Sequence, residues 1–139
     1  MNVLEEIFQS STRILPEWTL FLGILATCLA LAFTREGNKS PFYLFALTVT
    51  LYVYSLVISA PQVTVEGESF YQGLLHLDKK ALLIKQLTGI SAIIFMVHAR
   101  LFSYKFPGEV YVLSLFVLLG ISFLSMTTHF LTAYVSLEL

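Results

Sequence analysis

Four long stretches of this chain carry no Asp, Glu, Lys or Arg, and these gaps decide what it can fold into. They run between Glu17 and Arg35, Lys39 and Glu66, Lys85 and Arg100, and Glu109 and Glu138. A membrane-spanning helix needs about 20 mostly apolar residues. The gaps therefore predict helices over 16–34, 41–60, 81–99 and 110–126. A fifth apolar run begins near His129 and is still in progress at Leu139. At ~1.5 Å per residue that run covers about half of a ~30 Å hydrocarbon core. A half-span ending in lipid leaves its last carbonyls unpaired. The chain reads as a fragment, or as one whose last segment another subunit covers. The expected fold class is all-α, a polytopic transmembrane helix bundle forming a single transmembrane domain over 1–139.

Composition agrees. Hydrophobic residues make up 57% of the chain and charged residues 12%, against ~25% charged in a soluble domain. Too little polar surface remains to cover a soluble chain of this length. An ordinary soluble enzyme and a disordered protein are thereby excluded. Eight Lys and Arg against nine Asp and Glu leave no net field for a polyanion, so no nucleic acid is expected as a partner. A single cysteine excludes a disulfide framework and a multi-cysteine metal site. Membrane strands alternate apolar and polar residues, and Leu51–Ala60 and Leu113–Leu119 do not. A signal peptide ending near Ala30-Leu31-Ala32 is disfavoured, because the region before it is acidic at Glu5 and Glu6 and further spans follow.

The connections are short. Gly37 ends the first helix, and Pro41 opens the second near its first turn, where a missing N–H is harmless. Phe106-Pro107-Gly108 punctuates the loop before the fourth helix. The segment 61–80 is longest, with Phe70–Leu77 expected in the membrane interface. Arg35, Lys39, Arg100 and Lys105 flank one side of the membrane, and Arg13, Lys79 and Lys80 the other. The small excess puts the loops 35–40 and 100–109 inside and the N-terminus outside. The sequon Asn38-Lys39-Ser40 then faces inward.

No GxGxxG, P-loop, HExxH or CxxC is present. The candidates for chemistry are ionisable groups at membrane depth, which are costly in lipid and so face protein or water. Glu138 stands foremost, deep in the fifth apolar run. Burial favours the neutral form of a carboxyl and a nearby ammonium the charged form, so a group held between them loads and releases a proton. The competing reading is a permanent ion pair. Lys85 lies one turn into the third helix, with Thr88 and Gly89 on its face. It either snorkels to the interface or faces protein, and the small neighbours favour protein. The third and fifth helices enter from the same side. Lys85 is then about 6 Å deep and Glu138 about 14 Å deep, close enough for a direct pair or a water bridge.

Tyr134 lies one turn before Glu138 and is expected to help hold its carboxylate. His98 and His129 near helix ends are candidate relays or interfacial residues. Glu17, after Pro16 and before Trp18, reads mainly as an interfacial residue at a helix start, where the dipole favours an anion. Cys28 is read as packing. Gly23, Thr27, Ala30, Gly120 and Ser122 are read as close-packing positions.

Several motifs carry a family resemblance. Gly108-Glu109-Val110-Tyr111, an apolar helix with Gly120 and Ser122, and Leu131 to Leu139 (LTAYVSLEL) follow one another in the chain. Together they resemble the antiporter-like subunit N of bacterial NADH:quinone oxidoreductase, respiratory complex I, equivalent to mitochondrial subunit 2. The family pattern there is GEYY, a helix with LGM at its centre, and LLTLYLGLEL. Ile14-Leu15-Pro16-Glu17 resembles the family's LLPE start, and Asp78 followed by Lys85 its entry to the third helix. Val135 and Ser136 depart from the usual pair before the leucine.

The family has about fourteen helices of spanning length, and this chain resembles the first four and a half. The resemblance implies a proton-translocating membrane subunit, with Glu138 matching the channel glutamate of the fifth helix. It implies no cofactor in this chain. NADH, FMN, iron–sulfur clusters and quinone would belong to other subunits of the complex, which are the expected partners together with the lipid bilayer. The bacterial inner membrane is the expected location. A subunit of a multisubunit sodium/proton antiporter, and a small membrane scaffold without transport, are the alternatives.

Overall fold

A computed structural model describes residues 14–33, 39–62, 68–70, 75–101, 106–127 and 137–138. Four helices dominate it: α1 (Leu15–Phe33), α2 (Ser40–Ser59), α3 (Lys79–Leu101) and α4 (Gly108–Met126). All four are long and apolar enough to cross a membrane. The chain is a multi-pass, all-α membrane protein. The helices fall within two residues of the charge-gap expectation at every end, the two-residue differences being at both ends of α3, which starts at Lys79 and ends at Leu101, and at the start of α4, Gly108.

The helix starts show why. Pro41 sits in the first turn of α2. Asp78 caps α3, its Oδ1 accepting from the Ala81 N–H at 2.7 Å. Inside the helices, Ser and Thr hydroxyls bond back to carbonyls three or four residues earlier, as Thr27 does to Gly23 and Thr48 to Leu44. A hydroxyl so satisfied can sit in hydrocarbon, where no water is available to it.

α1 packs on α2 and α4, α3 packs on α2 and α4, and α2 touches α4 across the centre. α1 and α3 therefore face each other over the α2–α4 contact. The core joins Leu20 and Ile24 of α1, Phe45, Val49, Tyr52 and Leu56 of α2, and Leu115 and Leu119 of α4. Phe45 stacks edge-on to Phe95 and tilted on Tyr111, with centroids 5.8 and 5.4 Å apart. Gly23 lets α1 approach α2 closely: a Cβ there would stand 2.1 Å from Thr48 Cγ2 and 2.8 Å from its Cβ. Its reading as a close-packing position holds. Leu22, Leu25 and Leu29 of α1, Leu47 and Leu51 of α2, and Leu87, Ile90 and Ile94 of α3 point outward, an apolar surface suited to acyl chains.

One segment takes a structure that the charge gaps did not predict, and one expectation needs correction. The segment around Phe70–Leu77 forms an antiparallel ribbon, β1 (Glu68–Phe70) with β2 (Leu75–Leu77), pairing Ser69 with His76. Leu75 and Leu77 are buried and Leu75 bridges Thr127, so the ribbon is tied to the end of α4. Period-2 burial of two leucines gave this short strand a reason to form that the long charge-free gaps did not reveal. Cys28 is exposed, not packed: it lies on the outward stripe of α1 with Leu25 and Leu29.

Candidate functional site

Near the ribbon end of the bundle, four helices converge on one buried ion pair. Lys85 Nζ lies 2.6 Å from Glu17 Oε1, and both side chains are almost fully buried, at 2% and 3% exposure. Glu17 sits in the first turn of α1 and Lys85 in the second turn of α3. α1 and α3 have no broad contact of their own, so the long lysine stem crosses the bundle to reach the carboxylate.

Around the pair, α4 supplies two groups. The Ser122 hydroxyl donates to the same carboxylate oxygen, Glu17 Oε1. Met126 Sδ accepts from Lys85 Nζ at 3.0 Å. The Tyr52 hydroxyl of α2 stands 3.5 Å from Ser122 Oγ, a long contact. An ionised carboxylate only accepts, so the single Ser122 proton must point at Glu17 and its lone pairs toward Tyr52. The second carboxylate oxygen, Glu17 Oε2, is buried and has no hydrogen-bond partner among the described residues. Glu17 also borders an apolar groove of about 370 Å³ between α1 and α4, with Ile14, Trp18, Phe21, Leu119 and Phe123.

Helical register brings these residues together. Lys85 and Gly89 are four apart and both buried, with Gly89 seated against Val53 of α2. The expectation that Lys85 faces protein holds. Ser122 and Met126 are likewise four apart on the buried face of α4. Tyr52 and Ser55 share the buried face of α2.

Two sequence-based readings change here. Glu17 is not an interfacial residue held only by a helix start: it is buried and paired. The partner of the Lys85 ammonium is Glu17, where depth alone had left a pair or water bridge with Glu138 open. The physical reason is depth. By helical rise, Glu17 lies about 3 Å and Lys85 about 9 Å from the starts of two helices that begin on the same side. A lysine stem spans that difference.

Glu138 is helical and exposed. His98 is exposed in the last turn of α3, about 20 Å along the helix from Lys85. His129 and Tyr134 lie outside the described residues. No group of three or more His, Cys, Asp or Glu suited to a metal occurs among the described residues. Tyr52, Ser122 and Met126 were not singled out for chemistry from sequence. Ser122 carried a signal nonetheless, as a small polar residue in the middle of an apolar helix.

Known proteins resemble this chain in sequence. The chain is 33% identical over 129 residues to NADH-quinone oxidoreductase subunit N of Neisseria gonorrhoeae, an alignment covering 90% of this chain and 26% of that protein. It is 26% identical over 132 residues to NADH-quinone oxidoreductase subunit N of Laribacter hongkongensis, with the same coverage of 90% and 26%. The chain thus spans about a quarter of the length of the curated relatives it matches. No family model matches it, and no solved structure matches it significantly.

Proposed function

We propose that this chain contributes to the antiporter-like membrane subunit of an NADH:quinone oxidoreductase in a bacterial inner membrane, and takes part there in proton translocation. The observation that carries the reading is a buried, hydrogen-bonded glutamate–lysine pair inside a membrane-spanning bundle. The chain that holds it aligns over 90% of its length with two subunits of that name. A charge pair in hydrocarbon is expensive, and its default reading is a role in ion or proton movement. Lys85 is one proton-handling group of the proposal and Glu138 a second, with His98, His129 and Tyr134 as auxiliaries. Redox chemistry, with NADH, flavin, iron–sulfur clusters and quinone, belongs in this reading to partner subunits.

The test is purification of the tagged protein from mildly solubilised membranes of its own host. Co-purification with NADH oxidation coupled to quinone reduction is the expected result. Sodium-dependent proton exchange without NADH oxidation would transfer the chain to the antiporter alternative. A chain that purifies alone, with neither activity, would make it a scaffold.

A further inference from the structure

We propose that Glu17 is a protonation site in its own right, loaded at Oε2. The inference deepens the proton-handling reading above and assigns to it a carboxyl on α1 that the sequence presented as interfacial. Its basis is the asymmetry of the carboxylate. Oε1 takes both the Lys85 ammonium and the Ser122 hydroxyl, while Oε2 is buried with no hydrogen-bond partner among the described residues. Buried polar atoms are satisfied in the great majority of cases, and an exception calls for an explanation. A proton on Oε2 supplies one. It converts an unsatisfied acceptor into an acid O–H and leaves Oε1 as a carbonyl that still accepts from Lys85 and Ser122. No existing contact has to break.

The balance is simple. One proton from the aqueous phase forms the Oε2–H bond, and the site goes from neutral to a single positive charge. That charge rests on Lys85, which keeps Oε1 and Met126 Sδ as acceptors. Among the described residues, the groups facing the carboxyl from each packed element are few. α2 offers Tyr52, α3 offers Lys85, and α4 offers Ser122 and Met126, neither of which titrates in the ordinary range. On β2, Leu75 and Leu77 are the buried residues, and His76 between them takes the opposite face of the strand. Ser122 is a positioning residue: its hydroxyl fixes which oxygen is occupied and which is left open. The α1–α4 groove beside Glu17 is lined by the apolar side chains of Ile14, Trp18, Phe21, Leu119 and Phe123.

The experiment is infrared difference spectroscopy of the full-length protein in lipid bilayers, stepping between acid and alkaline buffer. A carboxylic-acid C=O band should appear in acid and be missing in Glu17→Gln. Ser122→Ala removes one hydrogen bond to the charged form, so at a fixed neutral pH the acid-to-carboxylate ratio should rise about tenfold. A merely structural Ser122 would leave that ratio unmoved. An acid-minus-alkaline spectrum that Glu17→Gln does not change, in protein of unaltered helical circular dichroism, would overturn the proposal. If Glu17→Gln fails to accumulate, Ser122→Ala decides: an unshifted carboxyl band overturns it. The readout needs no NADH or quinone activity, so its failure is distinct from failure of the assignment to a respiratory complex.

Discussion

Removing one charge of the Glu17–Lys85 pair should harm the bundle more than removing both. Lys85→Met keeps the length of the side chain and deletes the ammonium. It leaves Glu17 buried with the Ser122 hydroxyl as its remaining partner among the described residues. Breaking a buried ion pair from one side costs about 3–5 kcal/mol, because the surviving charge is left uncompensated. The lower end applies here, since a stranded carboxylate sheds its charge by taking a proton. We therefore expect about 3 kcal/mol for Lys85→Met and a similar loss for Glu17→Gln. The double variant strands no charge. It still loses the Ser122 contact's charge assistance, a matter of about 1 kcal/mol. The double variant should then be more stable than either single variant. The assay is a double-mutant cycle read by reversible denaturation in mixed micelles, with helicity followed by circular dichroism. Two single losses that simply add, within the ~0.5 kcal/mol typical of independent sites, would refute a coupled pair and with it the geometry of the site.

Three further expectations rest on packing. Gly23→Ala drives a Cβ into Thr48 at 2.1–2.8 Å, and overpacking of this kind costs about 1–3 kcal/mol; the thermal midpoint in detergent should fall accordingly, and an unchanged midpoint would contradict the α1–α2 approach. Phe45→Ala empties a fully buried position between Phe95 and Tyr111, for an expected loss of about 3–5 kcal/mol by the same assay. Cys28, the single cysteine, should react in intact membranes with a lipid-soluble maleimide and not with a membrane-impermeant one. Equal reaction with both reagents would place that face of α1 against water.

Much of this fold was legible because hydrocarbon leaves the chain so few options. A segment that must satisfy its own backbone and hide no charges can only be a helix or part of a closed barrel. The charge-free gaps bounded by Glu17, Arg35, Lys39, Lys85, Arg100 and Glu109 therefore locate α1 to α4 along the chain. The ribbon was not legible in this way, because Glu68–Phe70 and Leu75–Leu77 lie where charges return, and the bridge from Leu75 to Thr127 is a contact distant in sequence. Lateral position was also hidden. Cys28 and Thr27 are adjacent in an all-apolar stretch, yet Thr27 is fully buried and Cys28 exposed. When every face of a helix is apolar, periodicity no longer says which face points inward.

The site shows the same division between depth and direction. Depth is a one-dimensional quantity that the sequence carries: Glu17 and Lys85 each follow closely on a helix start, and odd-numbered helices begin on one side. That argument admits Glu17 as a partner for Lys85 at least as readily as Glu138, and by helical rise more readily, since Glu17 is the nearer in depth. What depth does not give is the plan of the bundle. The pair forms because α1 and α3 sit across from each other while α2 and α4 touch between them, leaving one lysine stem long enough to bridge the gap. The plan also brings Ser122 of α4 to the same oxygen, and so leaves the other oxygen open. A small polar residue such as Ser122 in an otherwise apolar helix is thus worth reading twice: it marks close packing, and it marks where a charge from elsewhere in the chain has to be met.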